Sequence, residues 1–82
     1  MAKLLYFAGL VDHLGRASEE VGLPAEVTTV EALLAWLRQR GGVWESAMHM
    51  SAVQVTVNKQ FSVPTTPIKN QDEVAFVPIR PT

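Results

Sequence analysis

The chain contains no cysteine, which excludes several classes of chemistry at once. Without thiols there is no disulfide, no thiolate metal site and no cysteine nucleophile. An excess of charge of either sign is also lacking, because seven lysines and arginines stand against eight aspartates and glutamates. Such a balance gives no electrostatic footprint for nucleic acid or for an anionic membrane. We therefore predict a protein that binds neither.

Length is also limited, because 82 residues suffice for one domain only. We predict a single domain over residues 1–82, with little interior to spare for an enclosed active site. Apolar residues make up 48% of the chain, which favours a globular fold over disorder. The N-terminal apolar run is broken by Gly9, is too short to span a bilayer and precedes no small-residue cleavage site. We therefore predict a first strand there and a cytoplasmic protein.

The first strand, predicted over residues 3–8, is apolar on both of its faces. Leu4 and Tyr6 share one parity, and Leu5 and Phe7 share the other. A strand of this kind is either covered on both faces or leaves one face for a partner.

A capping box predicts the start of the main helix. The Thr28 hydroxyl is placed to accept from the Glu31 amide, while the Glu31 carboxylate reaches back. An apolar stripe at helical spacing follows, made of Val30, Leu33, Leu34 and Leu37. Gly41-Gly42 is predicted to end the helix, after about three turns. A helix with one apolar stripe needs a sheet to cover.

Shorter elements flank this helix on both sides. They are a helical turn over 12–15 and strands over 18–23, 53–57, 61–63 and 73–77. The order of two strands, a helix and three strands predicts an α+β fold. It fits the β-grasp (ubiquitin-like) fold, a mixed sheet of four to five strands with one main helix packed across it. By analogy with that fold, the first and last strands lie side by side at the centre of the sheet.

Residues for independent catalysis are not evident. His13 and His49 are far apart in sequence, and neither has an obvious carboxylate partner. The segment Met48–Met50 offers soft copper ligands, but we interpret it as the end of a loop that leads into the next strand. Glu19 and Glu20 point to opposite faces of a strand, so we interpret them as solvated charges and not as a catalytic pair. We predict that the protein is not an enzyme by itself and needs no cofactor.

Apolar residues on the sheet face away from the helix are the main functional signal. They are Leu5, Phe7, Phe61, Ala75 and Val77. A cluster of this kind favours a protein interface, although a loop folded over part of it is the alternative.

The C-terminal arm (residues 78–82) follows the last strand and contains two prolines. Its sequence is Pro78-Ile79-Arg80-Pro81-Thr82. Proline pairs poorly in a sheet and does not continue a helix. An arm that inserts into a partner and an ordinary frayed terminus are both compatible with these residues.

Four segments together resemble a known family. They read LLYFAGL at 4–10, TVEAL at 29–33, VTVNKQ at 55–60 and TPIKNQDEVAFVP at 66–78. In order and spacing they are similar to the sulfur-carrier small subunits of molybdopterin synthase. The resemblance covers residues 3–78, and 72–78 is its most specific part. The sulfur carrier of thiamine synthesis shares the fold but is a poorer match.

The resemblance implies both partners and a mechanism. In that family an E1-like, ATP-dependent activating enzyme adenylates the C-terminal carboxylate, which then becomes a thiocarboxylate. The arm enters the large catalytic subunit of molybdopterin synthase, where the sulfur passes to cyclic pyranopterin monophosphate. Phe7, Phe61, Val77 and Pro78 match the family's partner interface.

The sequence departs from the family at the C-terminal arm. The family ends in Gly-Gly, whereas this sequence reads Ile79-Arg80-Pro81-Thr82. One interpretation is a shortened or altered end. A second is a β-grasp binding module that has lost sulfur carriage, and a third is that Thr82 acts as an unusual acceptor.

Overall fold

A five-stranded sheet forms the framework of the protein in the computed structural model, which describes residues 1–79. Its strands are β1 (Ala2–Tyr6), β2 (Ser18–Val21), β3 (Val53–Val57), β4 (Gln60–Phe61) and β5 (Glu73–Pro78). The helices are α1 (Gly9–Leu14), α2 (Val30–Arg38) and α3 (Val43–Ala47). Within residues 1–79, no helix is long and apolar enough to cross a membrane.

The strands lie in the order β2-β1-β5-β3-β4. The first and last strands are therefore adjacent at the centre, where they run parallel with Leu4 opposite Val74 and Tyr6 opposite Phe76. The other neighbouring pairs are antiparallel. This order confirms the predicted β-grasp fold, including the central pairing that rested on analogy.

One face of the sheet packs against α2 to form the core. The strand residues of this core alternate along the chain, as period-two patterning predicts. They are Leu4, Tyr6, Val53, Val55, Val74 and Phe76, each at most 2% exposed. The apolar stripe of α2 meets them through Val30, Leu33, Leu34 and Leu37, which are equally buried. The predicted parity of the strands and the predicted stripe of the helix are both confirmed.

The helix cap lies one residue later than predicted. Thr29, not Thr28, is the N-cap, and its hydroxyl oxygen accepts from the Ala32 amide at 3.2 Å. Thr28 is held in the preceding extended segment, since its carbonyl accepts from the Ile68 amide at 3.0 Å. The predicted capping box is therefore wrong, because the loop before β5 already fixes the backbone of Thr28.

The segment after α2 holds a helix that the sequence did not predict. Gly41 and Gly42 both have positive φ, at 77° and 58°, and they turn the chain into the short helix α3. Trp44 of α3 packs edge-on against Tyr6, with ring centroids 5.5 Å apart. Met48, interpreted from sequence as part of a loop, is fully buried in the core. The two glycines therefore do more than end a helix, because they bring Trp44 and Met48 back onto the sheet.

Candidate partner-binding surface

The sheet face that α2 leaves uncovered carries the predicted apolar cluster. We call it the apolar sheet face, and it consists of Leu5, Phe7, Phe61, Ala75 and Val77. Phe7 is 45% exposed, Phe61 81% and Val77 39%. Leu5 and Ala75 are half-buried. Phe7, Phe61 and Val77 are not covered by a loop within residues 1–79. Large apolar side chains left in water on one face favour a protein interface.

Strand register brings these residues together. Leu5 lies opposite Ala75, and Ala75 lies opposite Thr56, which in turn faces Phe61. Residues paired in register point to the same face of a sheet. A single row therefore crosses four strands, although the residues come from distant parts of the sequence.

Phe7 and Val77 form the next row of the apolar sheet face. The β1–β5 register ends with Tyr6 opposite Phe76, and Phe7 follows with its amide donating to the Phe76 carbonyl at 3.1 Å. Phe7 thus stays beside β5 although β1 has ended. Ala8 then takes a positive φ of 53°, which turns the chain into α1. Val77, beside Phe7, stays 39% exposed.

A tight hairpin positions Phe61 at the edge of the sheet. Asn58 and Lys59 both have positive φ, at 52° and 71°, which is typical of the two-residue turn that matches strand twist. The Asn58 side chain accepts from the Glu73 amide at 3.0 Å and donates to Asp72 at 3.1 Å. The turn is therefore fastened to the start of β5, and it presents Phe61 beside the central strands.

The return strand of this hairpin is shorter than predicted. It covers Gln60–Phe61 and not 61–63. The Val63 amide donates to the Thr66 hydroxyl at 2.9 Å, so the chain has already entered a turn at that point. Val63 is 58% exposed, outside any strand.

The root of the C-terminal arm remains part of the sheet. Pro78 was predicted to lie beyond the last strand, but it is the final residue of β5 and pairs with Val53. The Ile79 amide donates to the Ala52 carbonyl at 3.0 Å, a bond that flanks the Pro78 position without needing a proline N–H. The predicted end of the last strand at Val77 is therefore wrong by one residue. The predicted arm residues Arg80, Pro81 and Thr82 lie outside the described residues.

A charged cluster occupies the opposite side of the sheet. Glu19 accepts from the Tyr6 hydroxyl at 2.7 Å and from both terminal nitrogens of Arg40 at 2.8 and 3.2 Å. Arg16 donates to the same carboxylate at 2.9 Å, and the Arg40 guanidinium lies 4.4 Å from the centre of the Trp44 ring. Glu19 was interpreted as a solvated charge, but its side chain is only 12% exposed. That interpretation is wrong.

Glu19 could have been assigned to the core face of the sheet from the alternation of buried and exposed residues along β2. Glu19 shares parity with the buried Val21 and pairs with Leu4, so it lies on the core face at the edge of the sheet. The cluster joins β2 to the segment between α2 and α3 through Arg40. Its contacts are accounted for by packing, so we assign it a structural role.

The same contacts set the ionisation of Glu19 and Tyr6. Burial, together with the bond to Glu19, raises the pKa of the Tyr6 hydroxyl. Burial alone would raise the pKa of Glu19 as well. Hydrogen bonds from Arg40 and Tyr6, with the nearby guanidinium charges, outweigh it and hold the pKa of Glu19 below its ordinary value.

We expect the Glu19 cluster to make stability depend on pH in the acid range. A lowered folded-state pKa gives stabilisation that is complete above the ordinary glutamate pKa of about 4.3 and is lost as the pH falls through the folded value. Glu19→Gln should cost about 1–3 kcal/mol at neutral pH. In urea unfolding at decreasing pH, the difference from wild type should shrink. A difference that stays constant down to strongly acid pH would contradict the role of the Glu19 charge.

The histidines are not brought together. His13 is exposed on α1, and the Nε2 atom of His49 lies 2.8 Å from the Glu45 carbonyl oxygen. Among residues 1–79, no group of three or more histidine, aspartate or glutamate side chains is placed to hold a metal ion.

Comparison with known proteins gives one matching family and one curated relative. The sequence model of the ThiS family matches residues 4–80. A molybdopterin synthase sulfur carrier subunit from Haemophilus influenzae is 30% identical over 78 residues, which cover 95% of this chain and 94% of that protein.

Two solved structures share the fold. One, from Pyrococcus furiosus, is described as a molybdopterin converting factor subunit 1 and superposes with a TM-score of 0.79 at 24% identity, covering 94% of each chain. The other is SAMP1 from Haloferax volcanii, with a TM-score of 0.78 at 20% identity, covering 99% of this chain and 97% of that one. At these identities the structures establish the β-grasp fold alone.

Proposed function

The chain belongs to the ThiS family, and from that we propose that it is the sulfur-carrier small subunit of a molybdopterin synthase. In this role it docks on a large catalytic subunit and delivers thiocarboxylate sulfur to cyclic pyranopterin monophosphate. An E1-like, ATP-dependent enzyme is the second partner, which activates the C-terminal carboxylate.

One observation carries the proposal, namely that the apolar sheet face adjoins the root of the C-terminal arm on the same central strand. Val77 belongs to the face, Pro78 is the next residue, and Ile79 follows with its backbone still bonded to Ala52. Docking through Phe7, Phe61, Val77 and Pro78 would therefore fix the position from which the arm leaves. A carrier needs this arrangement, because one surface holds the partner while the adjoining chain presents the reacting group.

The chemistry of the cycle belongs to the terminal carboxylate and its partners. ATP converts the carboxylate to an acyl adenylate with release of pyrophosphate, and a hydrosulfide equivalent displaces AMP to leave a thiocarboxylate. Transfer of that sulfur to the pterin substrate, with oxygen supplied by water, returns the carboxylate. The side chains of this protein bind and orient, and they take no covalent part.

The proposal is tested by intact mass after incubation with the activating enzyme, ATP and a sulfur donor. We expect a mass gain that corresponds to one oxygen replaced by one sulfur, and co-elution with the large subunit from the same source. A matched chain with Gly-Gly appended after Thr82 serves as the positive control. If the control gains sulfur and the chain itself does not, while both co-elute with the large subunit, the carrier role is contradicted. That outcome favours the β-grasp binding module that carries no sulfur.

A further inference from the structure

A series of hydrogen bonds joins the end of α2 to the root of the C-terminal arm. Arg38 of α2 donates from Nη1 to the Met48 carbonyl at 2.7 Å. The next carbonyl, that of His49, accepts from the Ala52 amide at 2.8 Å. The Ala52 carbonyl in turn accepts from the Ile79 amide at 3.0 Å. Residues 48–52, which we call the arm-root loop, are thus held by Arg38 at one end and hold the arm at the other.

Arg38 supplies a partner that the backbone of this loop would otherwise lack. Met48 is the C-cap of α3, and the last carbonyls of a helix accept no hydrogen bond from within that helix. The Met48 side chain is fully buried, so its carbonyl has little freedom to turn towards water. A guanidinium donor gives a charge-assisted bond, stronger than one between neutral groups. The buried Met48 side chain and the hydrogen bond from Arg38 therefore both hold the arm-root loop in place.

The arm depends on this loop because the other side of β5 has no strand to hold it. The register of β1 with β5 stops at Tyr6 and Phe76, whereas that of β3 continues to Val53 and Pro78. Past that point the described bond to the arm is the one from Ile79 to Ala52. The position of the Ile79 backbone is thus set by where the arm-root loop places the Ala52 carbonyl.

We infer that Arg38 is a positioning residue that fixes the root of the C-terminal arm, at Pro78 and Ile79, through the arm-root loop. The functional part of this inference rests on the proposed carrier role. The apolar sheet face fixes the domain on its partner, so the position of Ile79 sets the point from which the reacting end of the chain must reach. Misplacement of a reacting group by about 1 Å is enough to lower a rate about 100-fold.

Arg40 offers a matched control two residues away. It is also an arginine, just past the end of α2, but its described side-chain contacts go to Glu19 and Trp44 and not to the arm-root loop. Arg38→Met and Arg40→Met therefore remove the same charge, and Arg38→Lys keeps a donor at the first position.

The first measurement is amide hydrogen exchange by NMR, which needs no partner. Relative to the Thr56 amide, which faces Ala75 at a hydrogen-bonded pair of the β3–β5 ladder, exchange at Ile79 should rise about tenfold in Arg38→Met, as the loss of one charge-assisted bond predicts. Arg40→Met should leave that ratio within about twofold, and Arg38→Lys should restore most of the protection. Equal changes at Ile79 in the two methionine variants would overturn the inference.

The second measurement separates positioning from binding. In the complex with the large subunit, Arg38→Met should leave the dissociation constant within about twofold and lower sulfur transfer at least about tenfold, with recovery in Arg38→Lys. A loss of affinity without a loss of turnover would overturn the positioning role. If the wild-type chain gains no sulfur at all, the proposed function fails, whereas the exchange result at Ile79 still decides whether Arg38 holds the arm.

Discussion

Phe76→Ala should lower the free energy of unfolding by about 3–5 kcal/mol, the usual cost of removing a buried phenylalanine ring. Phe76 is fully buried on the central strand, between Tyr6 of β1 and Val55 of β3. Its ring stacks on that of Tyr6 with centroids 5.4 Å apart. Neighbours on both strands are fixed by the backbone ladder, so the cavity has little means to close. A domain of this size holds on the order of 5–10 kcal/mol in total, so the variant should be close to unfolding.

Val77→Ala is the matched control for the Phe76 prediction. Val77 is the next residue of the same strand, and it points to the opposite face, where it is 39% exposed. Truncation there should change the unfolding free energy by less than about 1 kcal/mol, because part of the Val77 side chain is already in water in the folded state. Urea unfolding of both variants gives the comparison. A cost at Val77 equal to or above that at Phe76 would mean that the assignment of the two faces is reversed.

The β-grasp fold was predictable from sequence wherever residue spacing reports burial. Leu4 and Tyr6 alternate with Leu5 and Phe7, and the stripe of α2 follows helical spacing, so both faces of β1 and the buried face of α2 were assigned correctly. The spacing of apolar residues along a strand does not show which strands are its neighbours in the sheet. The central pairing of β1 with β5 came from analogy with the fold, and the structure confirms it.

The features that sequence did not predict depend on contacts between distant segments. Thr28 and Thr29 are equally good caps by residue type, and the Ile68 amide decides between them by occupying the Thr28 carbonyl. Pro78 can pair because it falls at a position whose N–H is not required. The parity of β2 indicates that Glu19 lies on the core face, but it does not reveal the partner Arg40, which lies 21 residues further along the chain. Each outcome is set by a partner that local spacing does not reveal.

Phe7→Asp should weaken association with the large subunit at least about 30-fold, which corresponds to about 2 kcal/mol for an aromatic residue near the centre of an interface. Phe7 is 45% exposed and lies beside Val77, close to the root of the C-terminal arm. A carboxylate there would have to be desolvated on docking, which adds to the lost contact. The domain should still fold, with a change in unfolding free energy below about 1 kcal/mol, because the side chain is already half in water.

Val43→Asp is the control that separates a loss of the apolar sheet face from a general effect of added charge. Val43 is 43% exposed, close to the value for Phe7, and it begins α3 on the helix-bearing side of the sheet. Both variants add one negative charge to a valine- or phenylalanine-sized surface site, so their long-range electrostatic effects are similar. Titration calorimetry with the large subunit should find the affinity of Val43→Asp within about threefold of wild type, in line with the small effects of most residues outside a central hot spot. Equal losses in the two variants would show that the partner does not select the apolar sheet face. If the Phe7→Asp variant binds the large subunit normally, the docking surface lies elsewhere on the domain, even if the carrier chemistry itself is observed.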